Sequence, residues 1–366
     1  MTTRVPIITD LHFGARGDSE VIRHIQTLFY RDVFWPAVDA ERVTDILCLG
    51  DLMDRRKFLN YETLDHAKAM LFSPARTRGI RLHWVLGNHD LYFKQSLNIN
   101  ASQAFKEYEN LVVYSDATVV PFNGTPTLLM PWLCEENMSS SMKTLSEYDG
   151  TTVAGHFEFG GFEMYKGSPN YHGASTEQYD HFPLVMSGHY HHRSSRRNIH
   201  YLGSPYEMTW GDYGDKRGFH WWTPEATKIE LVENPHNLFF KYVYDDSTAG
   251  PTYVRDLLER VGQDNLLQRI IKVIVRQKTK PVWYEAFAEA MLRLGAFDVQ
   301  FVEDTTWSVE PTGDATEEAG MDTLKMIEWY VDGQPWPNAQ IQQSVRDLLV
   351  DLYHEASERA KSVARN

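Results

Sequence analysis

Five short motifs carry residue types that could bind metal ions and act on a phosphate. They are Asp10-Leu11-His12, Gly50-Asp51-Leu52-Met53-Asp54, Gly87-Asn88-His89-Asp90, Gly155-His156 and Gly188-His189-Tyr190-His191. Carboxylate, imidazole and amide donors together suit divalent manganese, iron or zinc. No cysteine falls in any of the motifs, which disfavours a closed structural zinc site. Two cations roughly 3.5–4 Å apart need a shared ligand and can clamp the attacking and leaving oxygens of a phosphoryl group. Asp51, in the middle of the set, is the natural bridge. Asp10, His12, Asn88, His156, His189 and His191 complete the candidate ligands. A lone Asp-x-His or Gly-His pair is most often an ordinary loop, and the histidines outside these motifs read as surface or satisfied core. Five motifs in this order are a far more specific signal.

Each motif follows an apolar, strand-like run: residues 5–8, 45–49, 81–86, 151–154 and 183–186. Open α/β sheets gather functional groups beyond the carboxyl ends of their strands. The glycines let the chain turn sharply there, so the next side chain can point into a shared cavity. Between the first strands, residues 19–40 predict a helix with Val21, Ile25, Leu28 and Phe29 on one stripe. Asn60 can cap another, in which Leu64, Ala67 and Leu71 share a face. Strands then become denser, at residues 111–114, 127–130, 200–202 and 218–222. That shift from βαβ to mostly β predicts an α/β protein whose two sheets form a sandwich flanked by helices.

The part bearing the five motifs is expected to span residues 1–230, followed by a small α+β capping domain at 236–308. The cap contains strand-like runs at 239–244, 269–275 and 298–302 and a helix at 283–294. Residues 309–320 read as an acidic flexible linker. A C-terminal helical pair closes the chain within 321–366, at 321–331 and 338–361. Its second helix carries an apolar stripe that includes Ile341, Val345 and Leu348.

Hydrophobic residues make up 42% of the 366 and charged residues 23%, so a packed core is feasible and wholesale disorder is excluded. Cys48 and Cys134 alone supply neither a disulfide framework nor a zinc knuckle. Met1 to Pro6 lacks the apolar stretch of a signal peptide, and no segment approaches a bilayer span, so a cytosolic protein without membrane contact is expected. The net charge of −14 counts mildly against a stand-alone DNA clamp. It does not exclude a DNA enzyme, because bound metal reverses the charge of an acidic site.

At the five motifs the chain resembles the calcineurin-like metallophosphoesterase superfamily. Within it, the chain is most similar to the SbcD-type nuclease subunits of double-strand-break repair complexes, including those of T-even-type bacteriophages. The narrower likeness rests on residues 130–137 (Met-Pro-Trp-Leu-Cys-Glu-Glu-Asn), Gly155-His156-Phe157-Glu158, Tyr201-Leu202-Gly203-Ser204-Pro205, Gly211-Asp212 and Arg217-Gly218-Phe219. It covers residues 1–225 closely and the remainder only in layout. The resemblance implies that Asp10, His12, Asp51 and His191 hold one metal, and Asp51, Asn88, His156 and His189 the other. It implies that His89 protonates or stabilises the leaving sugar oxygen, and that Asp54 assists His89 or orients substrate. Asp90 is expected to hold its loop.

The implied activity is manganese-dependent hydrolysis of DNA, as a 3′-to-5′ exonuclease and structure-dependent endonuclease in recombination and repair. The implied partners are a coiled-coil ABC-type ATPase (SbcC-like), gripped by the C-terminal helices, and a second copy of the chain. A phage origin would place the protein in the host cytoplasm. Arg55, Arg56, Lys57, Lys94, Arg193, Arg196 and Arg197 cluster beside the motifs and are candidates for contact with the DNA backbone. The alternatives are a metallophosphoesterase of another substrate class, such as a protein phosphatase or cyclic-nucleotide phosphodiesterase, and a catalytically silent scaffold of the same fold.

Overall fold

In the computed structural model, residues 4–165, 167–304, 331–332, 338 and 342–349 are described. The chain divides into one unit ending at Asp304 and a second from Thr305 to Asn366.

Two six-stranded sheets organise the first unit. The first runs in the order Lys228–Glu233, Gly218–Thr223, Val5–Ile8, Asp45–Cys48, Arg81–Val85, Leu111–Tyr114. Its last four strands are parallel and its first two antiparallel. The second sheet runs Ser194–Arg196, Ile199–Tyr201, Leu184–Gly188, Thr152–His156, Thr125–Met130, Thr118–Phe122, with its middle four strands parallel.

Side chains alternate across a strand, and here alternate residues enter different cores. Leu47 and Leu49 join Val5, Ile7, Leu129, Ala154, Leu184, Met186 and Trp222 between the sheets. Ile46 and Cys48 instead join Ile25, Phe29, Leu71 and Phe72 of the flanking helices. In the second sheet, Leu128, Met130, Val153 and Val185 face an outer cluster that includes Leu145 of the helix Met138–Glu147. Both faces of each sheet are covered, which is why the central strands read as continuous apolar runs.

The expected helix at 19–40 is interrupted. It runs as Glu20–Phe29, widens to i→i+5 hydrogen bonding over Tyr30–Phe34, and resumes at Trp35–Asp39, with Pro36 at the start of the last piece. The helix after Asn60 does the same: Tyr61–Ala67, a widened turn at Lys68–Phe72, then Ser73–Thr77 with Pro74. In both, proline removes a backbone donor, and the widened turn accommodates the loss. Asn60 caps as expected, its side chain accepting from the Glu62 amide at 2.9 Å.

Phe239–Asp245, Ile270–Gln277 and Asp298–Glu303 form a separate parallel sheet. The helices Tyr253–Val261 and Pro281–Leu292 cover it around Leu257, Val261, Phe287 and Met291. Buried Glu207 reaches the base of this sheet, accepting from the amides of Leu238 (2.7 Å) and Phe239 (2.9 Å). In the second unit, residues 342–349 are helical. Gln342 donates to Asp332 at 3.2 Å, and Arg346 pairs with the same carboxylate. The rest of the expected linker and helical pair lies outside the described residues.

Candidate metal centre

The carboxyl ends of parallel strands from both sheets converge on one cavity. Ile8 pairs with Cys48 and Gly188 with His156, so the motifs begin nearly level. The sheets approach so closely here that side chains are excluded at two glycines. A Cβ on Gly50, whose φ is +91°, would lie 2.4 Å from His156 Nδ1, and one on Gly188 would lie 2.1 Å from Thr9 Oγ1. Asp10 (φ 52°), His12 (φ 43°), Asp51 (φ 51°) and His189 (φ 89°) also occupy left-handed backbone without being glycine. Each such conformation costs on the order of 1–3 kcal/mol and persists only where the surroundings enforce it. Four candidate ligands share that strain.

Three groups of side-chain donor atoms meet, each within 4.8 Å: Asp10, His12 and His191; Asp51, His156 and His189; His12, Asp54 and His89. Asn88 joins the second group, its Oδ1 lying 3.1 Å from His156 Nε2 and 2.9 Å from His189 Nδ1. Asp51 stands between the first two groups, with Oδ2 at 3.3 Å from His156 Nε2 and 3.7 Å from His12 Nε2. All seven sequence-derived ligand candidates are therefore brought together.

This donor set fits divalent cations. His12 Nε2 and His191 Nε2 face each other at 3.0 Å, a separation that two imidazole lone pairs tolerate only with a proton or cation between them. His156 Nδ1 meets the Leu49 carbonyl at 2.7 Å. With that nitrogen donating, Nε2 faces the Asp51 and Asn88 oxygens, and three electron-rich atoms so arranged suit a shared cation.

The electrostatics divide the imidazoles. Burial alone would lower the pKa of His156, but the facing Asp51 and Asp10 carboxylates raise it to about 9. His12 shifts upward for the same reason: Asp54, Asp51 and Asp10 outweigh its burial. His189 is held down at about 3 by burial and by His156, and burial with His12 and Arg217 also lowers His191. Burial favours a protonated Asp51, yet the facing His156 and His12 hold its pKa well below the ordinary range. The carboxylates that favour a proton on His12 and His156 would equally favour a cation beside them.

His89 lies at the edge of the cluster. Its amide donates to Asp51 Oδ1 at 2.8 Å, its Nδ1 meets the Asp54 carbonyl at 2.7 Å, and its ring packs edge-on to His12. Asp54 therefore acts on His89 through its backbone, while its carboxylate lies 3.2 Å from His12 Nδ1. Asp90 is a buried hub. It accepts from the amides of Asp51, Gly87 and Met53 and from the Trp84 indole, at 2.9–3.2 Å. Burial and the nearby Asp51 push its pKa up to about 7.

Sequence reasoning missed several supports. The Leu11 carbonyl, between two candidate ligands, accepts from Gln26 at 3.1 Å and from the Tyr206 hydroxyl. Buried Arg217 donates to the His191 carbonyl and pairs with Asp212 at 2.8 Å. Gln26 was detectable in principle: it follows Ile22 by four residues and precedes Phe29 by three, a polar residue on a buried helix face.

The basic candidates are divided. Arg56 donates to the Asn88 carbonyl at 3.0 Å, and Arg55 pairs with Asp18 at 3.1 Å. Arg197 pairs with Asp180 at 3.0 Å while remaining exposed, and Lys57, Lys94, Arg193 and Arg196 are exposed too.

The calcineurin-like phosphoesterase family model matches residues 3–193, which contain all seven candidate ligands, and the chain belongs to that family. The family and the donor clusters together imply divalent metals. Among individual proteins, exonuclease subunit 1 of Enterobacteria phage T4 is 29% identical over 358 residues, covering 95% of this chain and 98% of the phage protein. A novel archaeal phosphodiesterase of known structure has a TM-score of 0.33 and 10% identity, covering 63% of this chain and all of its own; a likeness at that score carries no argument.

Proposed function

We propose that this chain is a two-metal, manganese-dependent DNA nuclease, with 3′-to-5′ exonuclease and structure-dependent endonuclease activity in recombination and end processing. The observation that carries the reading is the paired donor set bridged by Asp51, with half-buried His89 beside it. The phosphoesterase family supports the reaction class, and the phage exonuclease subunit, similar over nearly the whole chain, supports DNA as substrate.

Asp10, His12, Asp51 and His191 would hold one cation, and Asp51, Asn88, His156 and His189 the other. When bound, the pair supplies an activated water and neutralises charge on the phosphate. The Leu49 carbonyl keeps His156 in one tautomer, and Asp90 fixes the loops bearing Asp51 and Asn88. With Nδ1 donating to the Asp54 carbonyl, a protonated His89 can offer Nε2–H to the leaving sugar oxygen. Lys57, Lys94, Arg193 and Arg196 are the exposed cations best placed to contact the DNA backbone. Homodimer formation, a cytoplasmic location and docking of a coiled-coil ABC-type ATPase on residues 321–366 belong to the same reading.

A time course on linear duplex DNA with manganese, comparing wild type with His89→Gln, tests the proposal. Turnover is expected to fall about 10²–10⁴-fold in the variant, the usual range for loss of a positioned acid. Equal rates would contradict the role of His89. Hydrolysis of a phosphopeptide or cyclic nucleotide in preference to DNA would contradict the substrate class.

A further inference from the structure

A cavity of about 320 Å³ opens beside the metal centre and shares His156 with it. Its floor is aromatic: Phe157 and Phe159 stack at 4.9 Å, and Tyr179 packs edge-on to Phe159 at 4.9 Å. Met138 and Met142 of the helix Met138–Glu147 form one wall. Trp132 stands at the junction, its ring 5.2 Å from that of His189.

The opposite wall is a strap fastened to the floor. The Ala174 amide donates to the Glu158 carbonyl at 2.7 Å, the Gly160 amide donates to the Ala174 carbonyl at 3.0 Å, and the Asn170 side chain donates to the Tyr190 hydroxyl at 2.7 Å. Tyr190 lies between the candidate ligands His189 and His191, so the strap is tied to the metal-bearing loop itself.

The lining decides the class of occupant. Among the described residues no lysine or arginine lines the cavity, and Glu158 does, which disfavours a phosphate group. Aromatic and thioether walls with a few polar groups suit a planar heterocycle, and the volume is that of a small-molecule pocket. A paired, stacked base cannot enter a cavity of this size, but an unstacked one can.

We propose that this cavity receives the unpaired base of a nucleotide adjoining the phosphodiester held at the metal centre, an inference that rests on the DNA-nuclease reading. The cavity then favours frayed ends and single-stranded segments over intact duplex. The test uses the full chain with manganese. Ala174→Trp and Met142→Trp fill the cavity from opposite walls. Substrates are bis(p-nitrophenyl) phosphate, a single-stranded oligonucleotide, and the same oligonucleotide abasic on either side of the scissile bond.

One of the two abasic substrates is expected to lose about tenfold in kcat/KM with wild type, the scale of one lost base–aromatic stack. Both filled variants should lose about as much on the intact oligonucleotide, nothing further on that abasic one, and less than about twofold on the small diester. Wild type cleaving both abasic substrates as fast as the intact one would overturn the proposal. So would filled variants that match wild type on the intact oligonucleotide. Failure of wild type to hydrolyse even the small diester would instead sink the nuclease reading.

Discussion

Seven donor side chains from five separate motifs converge, their donor atoms lying from 2.9 to 4.8 Å apart within each group, and each residue's neighbours explain its type. Asp51 must be a carboxylate, because two ligand groups approach it at once. Asp51→Asn keeps the shape but removes the charge that balances His12 and His156. Metal binding in that variant is expected to fall at least about tenfold, as for loss of a group that supports a metal site, measured by metal titration of the purified protein. Unchanged affinity would remove Asp51 as the bridge. These residues could be read from the sequence because a glycine or an apolar strand flags each one. Gln26 stands out as a polar residue on a buried helix face, but the partners of Gln26, Tyr206 and Arg217 are backbone carbonyls of distant motifs, Leu11 and His191, and no spacing encodes such pairings. Asp54 was identified, but that its carbonyl rather than its carboxylate serves His89 is visible only in the structure.

At the scale of elements, the strands were legible because both faces of the central sheets are buried and leave uninterrupted apolar runs. The helix Met138–Glu147 was not, since four serines dilute its pattern and only Ser141 and Leu145 are buried. The interruptions at Tyr30–Phe34 and Lys68–Phe72 also escaped notice, because a widened turn preserves the apolar stripe. The helices matter to the site through Gln26, which bonds Leu11 on one side and His66 Nε2 at 3.1 Å on the other. Replacing Gln26 by Leu leaves the Leu11 carbonyl with Tyr206 alone, and a loss of about 1–3 kcal/mol in urea denaturation is expected. Burial and then Arg23 depress the pKa of His66 to about 4 from 6.5. The folded state therefore disfavours the proton. His66 imposes no charging penalty above about pH 6.5, and destabilisation grows as pH falls from there towards 4. His220 is depressed in the same direction, so the difference between wild type and His66→Gln isolates the effect. Denaturation midpoints at pH 7 and pH 5 should converge in the variant relative to wild type; an identical pH response would show that His66 does not contribute.

Across the whole molecule, two sheets supply the ligands, and the parallel sheet of residues 239–303 is joined to them through Glu207. The order of strand-rich and helix-rich segments made the sandwich legible, whereas the small sheet's parallel pairing rests on contacts between strands some 30 residues apart. Residues beyond Glu310 are proposed to dock a coiled-coil ATPase. Truncation there is expected to abolish co-purification with such a partner while sparing manganese-dependent hydrolysis of a small diester; retained complex formation would count against the docking role. The most direct measurement is metal stoichiometry together with DNA cleavage, as manganese is returned to protein stripped by a chelator. The expected result is cleavage that reappears as roughly two equivalents bind per chain, and that Asp51→Asn fails to recover. Cleavage at the wild-type rate in the chelator, or by Asp51→Asn, would contradict a two-metal phosphoesterase.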